Sequence, residues 1–376
     1  MGDDKALVVV GGTGHFGARI CRRIVGEPGT RLVVTGRDES ALQCLVDELR
    51  ESRPGSMVDR EVLDQHADGF ERELRLLGPD VVIHTAGPYQ GQDYRVARAC
   101  IECGSHYIDL ADGREFVEGF ASLHEQAAEK GILLVSGASS LPGLSSAVVE
   151  ALRDRFGTLE SIEISIAPGH RTPRGRATIG AVLSYCGKPF QVLANGHWVT
   201  RHGWQDLRIQ RYPHLGRRLS GGCDVPDLSL LPRHYPDLNT VSFHAALEAP
   251  WEQLALWSMG WLTRLGLVRD WQGLVPVFHR LSDRLIGLGS DTGGMQIRIT
   301  GIDTAGRPRS YDWHLTARRN HGPEIPCTPA LILARRLLRG DLSLRGAHPC
   351  LGLISLADFD KELRGFDITW EIIDSV

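Results

Sequence analysis

The chain has 376 residues, 42% of them hydrophobic and 23% charged, with a net charge of -4: an ordinary soluble protein, long enough for two domains. That charge gives no electrostatic reason to expect nucleic acid or an acidic membrane as a partner. Eight cysteines lie scattered along it with one CxxC, Cys100 and Cys103, and no second pair, so no metal site is expected and the thiols read as free.

The start, Met1-Gly2-Asp3-Asp4-Lys5, is acidic and runs directly into an apolar strand, without the segments of a secretory signal, which points to the cytoplasm. Residues 7–10 read as that strand, which opens into Gly11-Gly12-Thr13-Gly14-His15-Phe16-Gly17 and then a helix. Gly12, Gly14 and Gly17 fit GxGxxG in the strand, turn and helix context it needs. Gly12 is expected to take the positive φ of the turn, Gly14 to let a phosphate approach, and Gly17 to let the helix lie close on the strand. Free N–H groups of the turn, together with the helix dipole, would hold a pyrophosphate, and Thr13, His15 and Phe16 join the three glycines in the expected cofactor set.

A second strand at 31–36 leads into Arg37 and Asp38. The end of this strand lies beside the adenosine ribose, where a carboxylate selects NAD and an arginine pairs with the extra phosphate of NADP. Arg37 comes first, so NADP is the expected cofactor and NAD the alternative; Asp38 is equally explained as a helix N-cap. Residues 56–59 read as a short third strand, whose Asp59 joins the expected cofactor set, and 68–77 as a helix. A fourth strand at 80–85 ends in Ala86-Gly87-Pro88-Tyr89, at the strand end where a doubly wound sheet binds ligands. The next helix packs Val96, Ala99, Cys100 and Cys103 on one face. A fifth strand at 105–110 ends in Ala111-Asp112-Gly113-Arg114, a long helix runs to Lys130, and a sixth strand covers 131–135. This alternation predicts a parallel Rossmann sheet over residues 1–143.

A second, α+β domain with a mixed sheet is expected over 144–320. A linking helix at 144–156 precedes a strand at 161–166 with one polar face, which ends in His170-Arg171-Thr172-Pro173-Arg174-Gly175-Arg176. Three arginines just ahead of a predicted helix at 177–186 form a candidate anion pocket, with a solvated basic loop as the plain alternative. Residues 195–247 give turn signals but no order. Residues 251–268 carry Trp251, Trp257 and Trp261, and are too short and too charged to span a bilayer. They read first as a buried helix or a lid, otherwise as a membrane-surface or subunit contact. Two strands at 295–301 and 310–315 flank a glycine turn, and Thr328-Pro329 caps a helix to Leu338 in a segment, 321–376, expected to pack back on the first domain.

With these residues in view, the chain resembles the saccharopine dehydrogenase-like oxidoreductases. The resemblance rests on the glycine turn, on residues 80–89 and 99–110, and on Pro142-Gly143. It implies a nicotinamide-dependent enzyme with the substrate in a cleft between a Rossmann domain and a mixed-sheet domain. It further implies Ala86, Gly87 and Pro88 at the nicotinamide-side ribose, and C–N chemistry on amino-acid or polyamine derivatives, or in other members reduction of enoyl C=C bonds.

Hydride transfer needs a positioned cofactor, exclusion of water and a proton donor. Tyr89, Asp112 and Arg114 are expected at strand ends of the first domain, with His170 and Arg174 reaching from the second; Tyr89, Asp112 and Arg174 are the catalytic candidates. His84 and His106 read as core. The expected function is hydride transfer between NADP(H) and a C=N or CH–NH bond of a small-molecule substrate, in a homodimer. Reduction of an enoyl or lipid-like substrate at a membrane surface, or non-catalytic NADP sensing, are the alternatives.

Overall fold

The computed structural model describes residues 4–375, so the reading of Met1-Gly2-Asp3 lies outside the described residues. The chain divides into two compact units: the residues up to Gly143 together with Pro326–Ile354, and Leu144–Ile325 together with the residues from Ser355 onward.

The first unit is built on β1 (Lys5–Val10), β2 (Thr30–Gly36), β3 (Val58–Val62), β4 (Val81–His84), β5 (His106–Asp109) and β6 (Leu133–Ser136). All six pair in parallel in the order β6-β5-β4-β1-β2-β3, and the strand Gly346–Pro349 adds in parallel beside β6 to make seven. Sequential strands lie on either side of β1, so the order reverses there, and the crevice at the carboxyl ends of β1, β2 and β4 is the switch point at which such sheets bind ligands. Leu7, Val8 and Val9 of β1 and Val81, Val82 and Ile83 of β4 are fully buried, as strands covered on both faces must be. The segment returning at Pro326 supplies the helix Thr328–Arg339, whose Ala330, Leu331 and Leu333 are fully buried, and then the seventh strand. Thr328 is the first residue of that helix rather than its cap; its hydroxyl accepts from Arg23 at 3.1 Å. Cys100 is buried in the helix Arg95–Cys103, and all eight cysteines are free.

The second unit is a nine-stranded mixed sheet. The central strand Thr158–Ala167 pairs in parallel with Thr240–Ala246 and antiparallel with Gly293–Ile302, which forms a hairpin with Pro308–Ala317. Register puts Ile162, Val241 and Ile299 on one buried face, and Glu163, Ser242, Arg298 and Asp312 on the other. Alternation along residues 161–166 already carried that division. The stretch 195–247 resolves into the strands His197–His202, Arg208–Tyr212, Gly216–Gly222 and Thr240–Ala246 and the helix Asp227–His234.

The tryptophan-rich segment departs from the expectation of a buried helix. The helix Pro250–Arg264 buries only Gln253, Leu256 and Gly260, so it is not a core helix. No helix among the described residues is long and apolar enough to cross a membrane.

Candidate cofactor and active site

The turn after β1 is held from both sides. Gly12 N–H donates to the Thr35 carbonyl at the end of β2 at 2.7 Å, while the Thr85 hydroxyl, after β4, reaches the Val10 and Gly11 carbonyls at 2.9 and 3.0 Å. Gly11, not Gly12, carries the positive φ, +80°. Gly12 is required for space: a Cβ there would lie 2.5 Å from Val34 Cγ1. Gly17, in the first turn of the helix His15–Ile24, lies against the glycine turn, and a Cβ on it would lie 2.3 Å from the Gly11 carbonyl oxygen and 2.8 Å from Gly12 Cα. Gly14 N–H closes the turn on the Gly11 carbonyl at 2.9 Å, so it is not a phosphate donor. Among the described residues, no hydrogen bond uses the N–H groups of Thr13, His15 and Phe16. These free donors at a helix N-terminus are what a pyrophosphate requires, and the cradle fits one. Burial, assisted by Arg19, lowers the His15 imidazole to about 4, so its ring contributes no positive charge at neutral pH.

Arg37 follows Gly36 directly, is exposed, and has no ion pair among the described residues. Asp38 is spent locally: its carboxylate accepts from Ala41 N–H at 3.0 Å and caps the helix Glu39–Ser52. Asp59 does not join the site. It is the second residue of β3, whose carboxyl end is Val62, and it pairs with Arg31 at 3.2 Å; the predicted strand began and ended too early.

Ala86, Gly87 and Pro88 leave the end of β4 beside the glycine turn, and glutamine amides fix the loop. Gln92 donates to the Ala86 and Pro88 carbonyls at 2.9 and 2.7 Å, and Gln65 to Ala86 at 3.3 Å. Gln65 also meets His84 Nε2 at 2.7 Å, while His84 Nδ1 lies 3.0 Å from the Tyr107 hydroxyl. Burial lowers His84 to about 3, so the ring is neutral and reads as core. Sequence reasoning missed Gln65, because a lone glutamine after a short strand gives no signal of its own.

Tyr89 is a correction. Its ring is buried between His84 and Phe116, and its hydroxyl donates to the His84 carbonyl at 2.6 Å and accepts from Leu110 N–H at 3.4 Å. Burial and the nearby Asp109 push it well above the usual phenol range. With its proton committed to a backbone carbonyl, Tyr89 ties two loops together and is not placed to donate to a substrate. Asp109, at the end of β5, accepts from Ala111 N–H, Gly137 N–H and the Ser136 hydroxyl at 2.9, 2.8 and 3.0 Å, and burial pushes it up to about 6. Asp112, in the loop after β5, is an exposed residue whose carboxylate accepts a bond from Gln90 at 3.1 Å. Desolvation outweighs that bond and one from its own backbone N–H, and raises its carboxyl. Arg114 is turned to Glu118 at 3.2 Å.

In the second unit the three-arginine loop does not converge into one anion pocket. Arg174 lies 3.7 Å from Glu252, and His170 Nδ1 lies 3.4 Å from the same carboxylate. His170 Nε2 meets the Leu285 carbonyl at 2.9 Å, and its backbone N–H donates to Glu248 at 2.7 Å. Arg174 therefore faces Glu252, with the His170 ring beside the same carboxylate, and Arg174 loses its catalytic assignment. Arg171 and Arg176 remain exposed, with no ion pair among the described residues. A buried group the sequence did not reveal is Asp227, which accepts from the Ser145 hydroxyl and which burial pushes up to about 7.

Residues 7–135 match the family described as saccharopine dehydrogenase NADP binding domain. The human saccharopine dehydrogenase-like oxidoreductase is 30% identical over 183 residues, which cover 45% of this chain and 42% of the human one. A Caenorhabditis elegans lipid droplet localized protein is 27% identical over 166 residues, covering 42% of this chain and 38% of that protein. The match thus spans about two-fifths of these relatives' length. In architecture, the apo saccharopine dehydrogenase (L-Glu forming) of Saccharomyces cerevisiae superposes with a TM-score of 0.70 at 14% identity, covering 98% of this chain and 100% of that one. Residues 7–135 thus match a saccharopine dehydrogenase NADP binding domain, and over that part the chain is similar to the saccharopine dehydrogenase-like oxidoreductases.

Proposed function

We propose that the protein is an NADP-dependent oxidoreductase acting on a C=N or CH–NH bond of an amino-acid- or amine-derived small molecule. The observation that supports it best is the conjunction, at the sheet's switch point, of the free Thr13, His15 and Phe16 N–H groups with the unpaired Arg37 at the end of β2. Thr13, His15 and Phe16 would hold the pyrophosphate, Arg37 the 2′-phosphate, and Ala86, Gly87 and Pro88 the nicotinamide-side ribose.

The cofactor supplies a hydride. The chain's own residues orient the ring, exclude water and handle the proton. Asp112 is the residue suited to move that proton, because its carboxyl is raised, the residue is exposed so that solvent can recharge it, and its bonds come from uncharged amides. As carbon receives the hydride, nitrogen takes the proton from Asp112 and C=N becomes CH–NH. Arg171 and Arg176 suit a substrate carboxylate, in place of Arg174. The eight free thiols support a cytoplasmic setting. A homodimer draws support from the sheet-edge strand Ile368–Asp374, which exposes Trp370 and Ile373.

A second reading, reduction of an enoyl or lipid-like substrate at a membrane surface, draws support from the exposed apolar helices of the second unit and from the name of the nematode relative. Calorimetric titration with NADPH and NADH comes first, followed by NADPH consumption with paired imine and enoyl substrates. Turnover of imines alone supports the main reading, and enoyl turnover the second. NADPH binding without turnover of either leaves a sensor.

A further inference from the structure

The helix Pro250–Arg264 is amphipathic with its faces reversed. Its buried stripe, Gln253, Leu256 and Gly260, is mostly polar or small. Gln253 accepts from Leu247 N–H at 3.1 Å, and a Cβ on Gly260 would lie 2.4 Å from Gln205 Nε2, so the fold needs that face as it is. The opposite stripe, at positions i, i+3, i+10, i+11 and i+14, carries Trp251, Leu254, Trp261, Leu262 and Leu265, all exposed.

The next helix, Val275–Leu285, buries no residue, and Leu274, Val277, Leu281 and Leu288 form a second exposed stripe at i, i+3, i+7 and i+14. With Leu267, exposed at 70%, in the connection, this one segment holds ten of the 18 exposed large hydrophobic side chains among the described residues. Scattered apolar residues on a surface are ordinary, but exposed stripes on two successive helices are a contact surface.

The charges choose the occupant. Arg264, Arg269, Arg280 and Arg284 are exposed on this segment against the exposed Asp270 and Asp283, and Asp283 is paired with His279 at 2.9 Å. The whole chain is acidic at -4, so this is a local cationic surface on a negative protein. Arg264 lies over the Trp261 ring at 4.3 Å, which places a cation at the level of an indole. Exposed tryptophan, leucine and arginine on helices too short to cross a bilayer are the chemistry of insertion into an anionic interface.

We propose that the two helices form a docking surface for anionic phospholipid membranes, with Trp251, Trp261 and Leu265 entering the headgroup region and the arginines meeting lipid phosphates and carboxylates. Glu252 anchors this surface from beneath through His170 and Arg174, and the Leu285 carbonyl does so through His170 Nε2. The proposal rests on the second reading above only for the membrane and is independent of the substrate.

The test is co-sedimentation of the full chain with vesicles of phosphatidylcholine alone and of phosphatidylcholine mixed with phosphatidylserine. Binding is expected to the mixed vesicles and to weaken with salt. The pair Trp251→Ser and Leu265→Ser should weaken it about tenfold or more, and the pair Arg269→Gln and Arg280→Gln should remove the preference for phosphatidylserine. NADPH titration of each variant reports that it is folded, and imine and enoyl turnover judge the substrate separately. No binding to either vesicle by folded protein overturns the proposal. So does loss of a dimer in the Trp251 and Leu265 variant without vesicle binding by the parent, which would make the stripes a contact between copies.

Discussion

Replacing Arg37 with alanine separates cofactor recognition from folding unusually well. The side chain is exposed and has no ion pair among the described residues, so its removal should change stability by less than about 0.5 kcal/mol. Its proposed partner is the dianionic 2′-phosphate, and a hydrogen bond to a charged group contributes about 1.5 to 3 kcal/mol. At 1.4 kcal/mol per tenfold, NADPH affinity should fall about 10- to 150-fold, nearer the lower end at high salt because the site is solvated. NADH lacks that phosphate and should bind Arg37→Ala as it binds the parent. Asp38→Ala is the companion: it should cost about 1 kcal/mol of stability by uncapping the helix Glu39–Ser52, without reversing the preference for NADPH. The assay is calorimetric titration of both proteins with both nucleotides. Equal loss of NADPH and NADH affinity in Arg37→Ala would refute the assignment.

Gly17→Ala puts a Cβ 2.3 Å from the Gly11 carbonyl oxygen, which should cost about 1 to 3 kcal/mol in denaturation and abolish binding of both nucleotides; unchanged binding would mean the turn is not their site. Tyr89→Phe removes the hydroxyl bond to the His84 carbonyl and should cost about 1 kcal/mol of stability while leaving the pH profile of turnover in place. A folded Tyr89→Phe that lost its activity would restore Tyr89 as the proton donor. Asp112→Asn should lower turnover about 100-fold or more with NADPH affinity kept, and full activity would remove Asp112 from the mechanism. Asp227, pushed up from 3.8 to about 7 by burial, favours its protonated form in the fold. That contribution is complete below the unfolded value and is lost as pH rises through about 7, for a total of up to about 4 kcal/mol. Asp227→Asn should therefore gain on the parent between about pH 5 and pH 8 in urea denaturation, and parallel curves would contradict the burial argument.

The Rossmann unit could be read from sequence because its signals are local. Buried parallel strands are short apolar runs, and the glycine turn is fixed by contacts that only a missing Cβ allows. What local pattern could not give was the division of labour inside the turn. Positive φ falls on Gly11 because the chain must swing under Ala86 and Thr85, residues far away in sequence, and Gly12 is needed because Val34 lies on the neighbouring strand. Asp59 was misplaced because a strand start moved by two residues carries a side chain from one end of the sheet toward the other. Tyr89, His170 and Arg174 failed as candidates for a common reason. Residue type and position said that each could do acid–base or anion chemistry, but the Tyr89 hydroxyl is bonded to a backbone carbonyl, His170 Nε2 meets another, and Arg174 faces Glu252. Availability is a tertiary property, and it is what separates Arg37 from Arg174.

The same point governs the tryptophan-rich helix. Three tryptophans among leucines suggest burial, because burying such side chains is worth about 1.5 to 3 kcal/mol each. The structure orients the helix by its least apolar residues instead: Gln253 carries a bond the loop needs at Leu247, and Gly260 allows an approach no larger residue would permit. A close backbone contact and a buried hydrogen bond are fixed in direction, whereas hydrophobic burial is not. The directional contacts therefore decide which face turns inward, and the apolar face is left for something outside the chain. A sequence window sees composition and period, but which stripe faces the protein is set by Gln205 and Leu247, residues that no window centred on the helix contains.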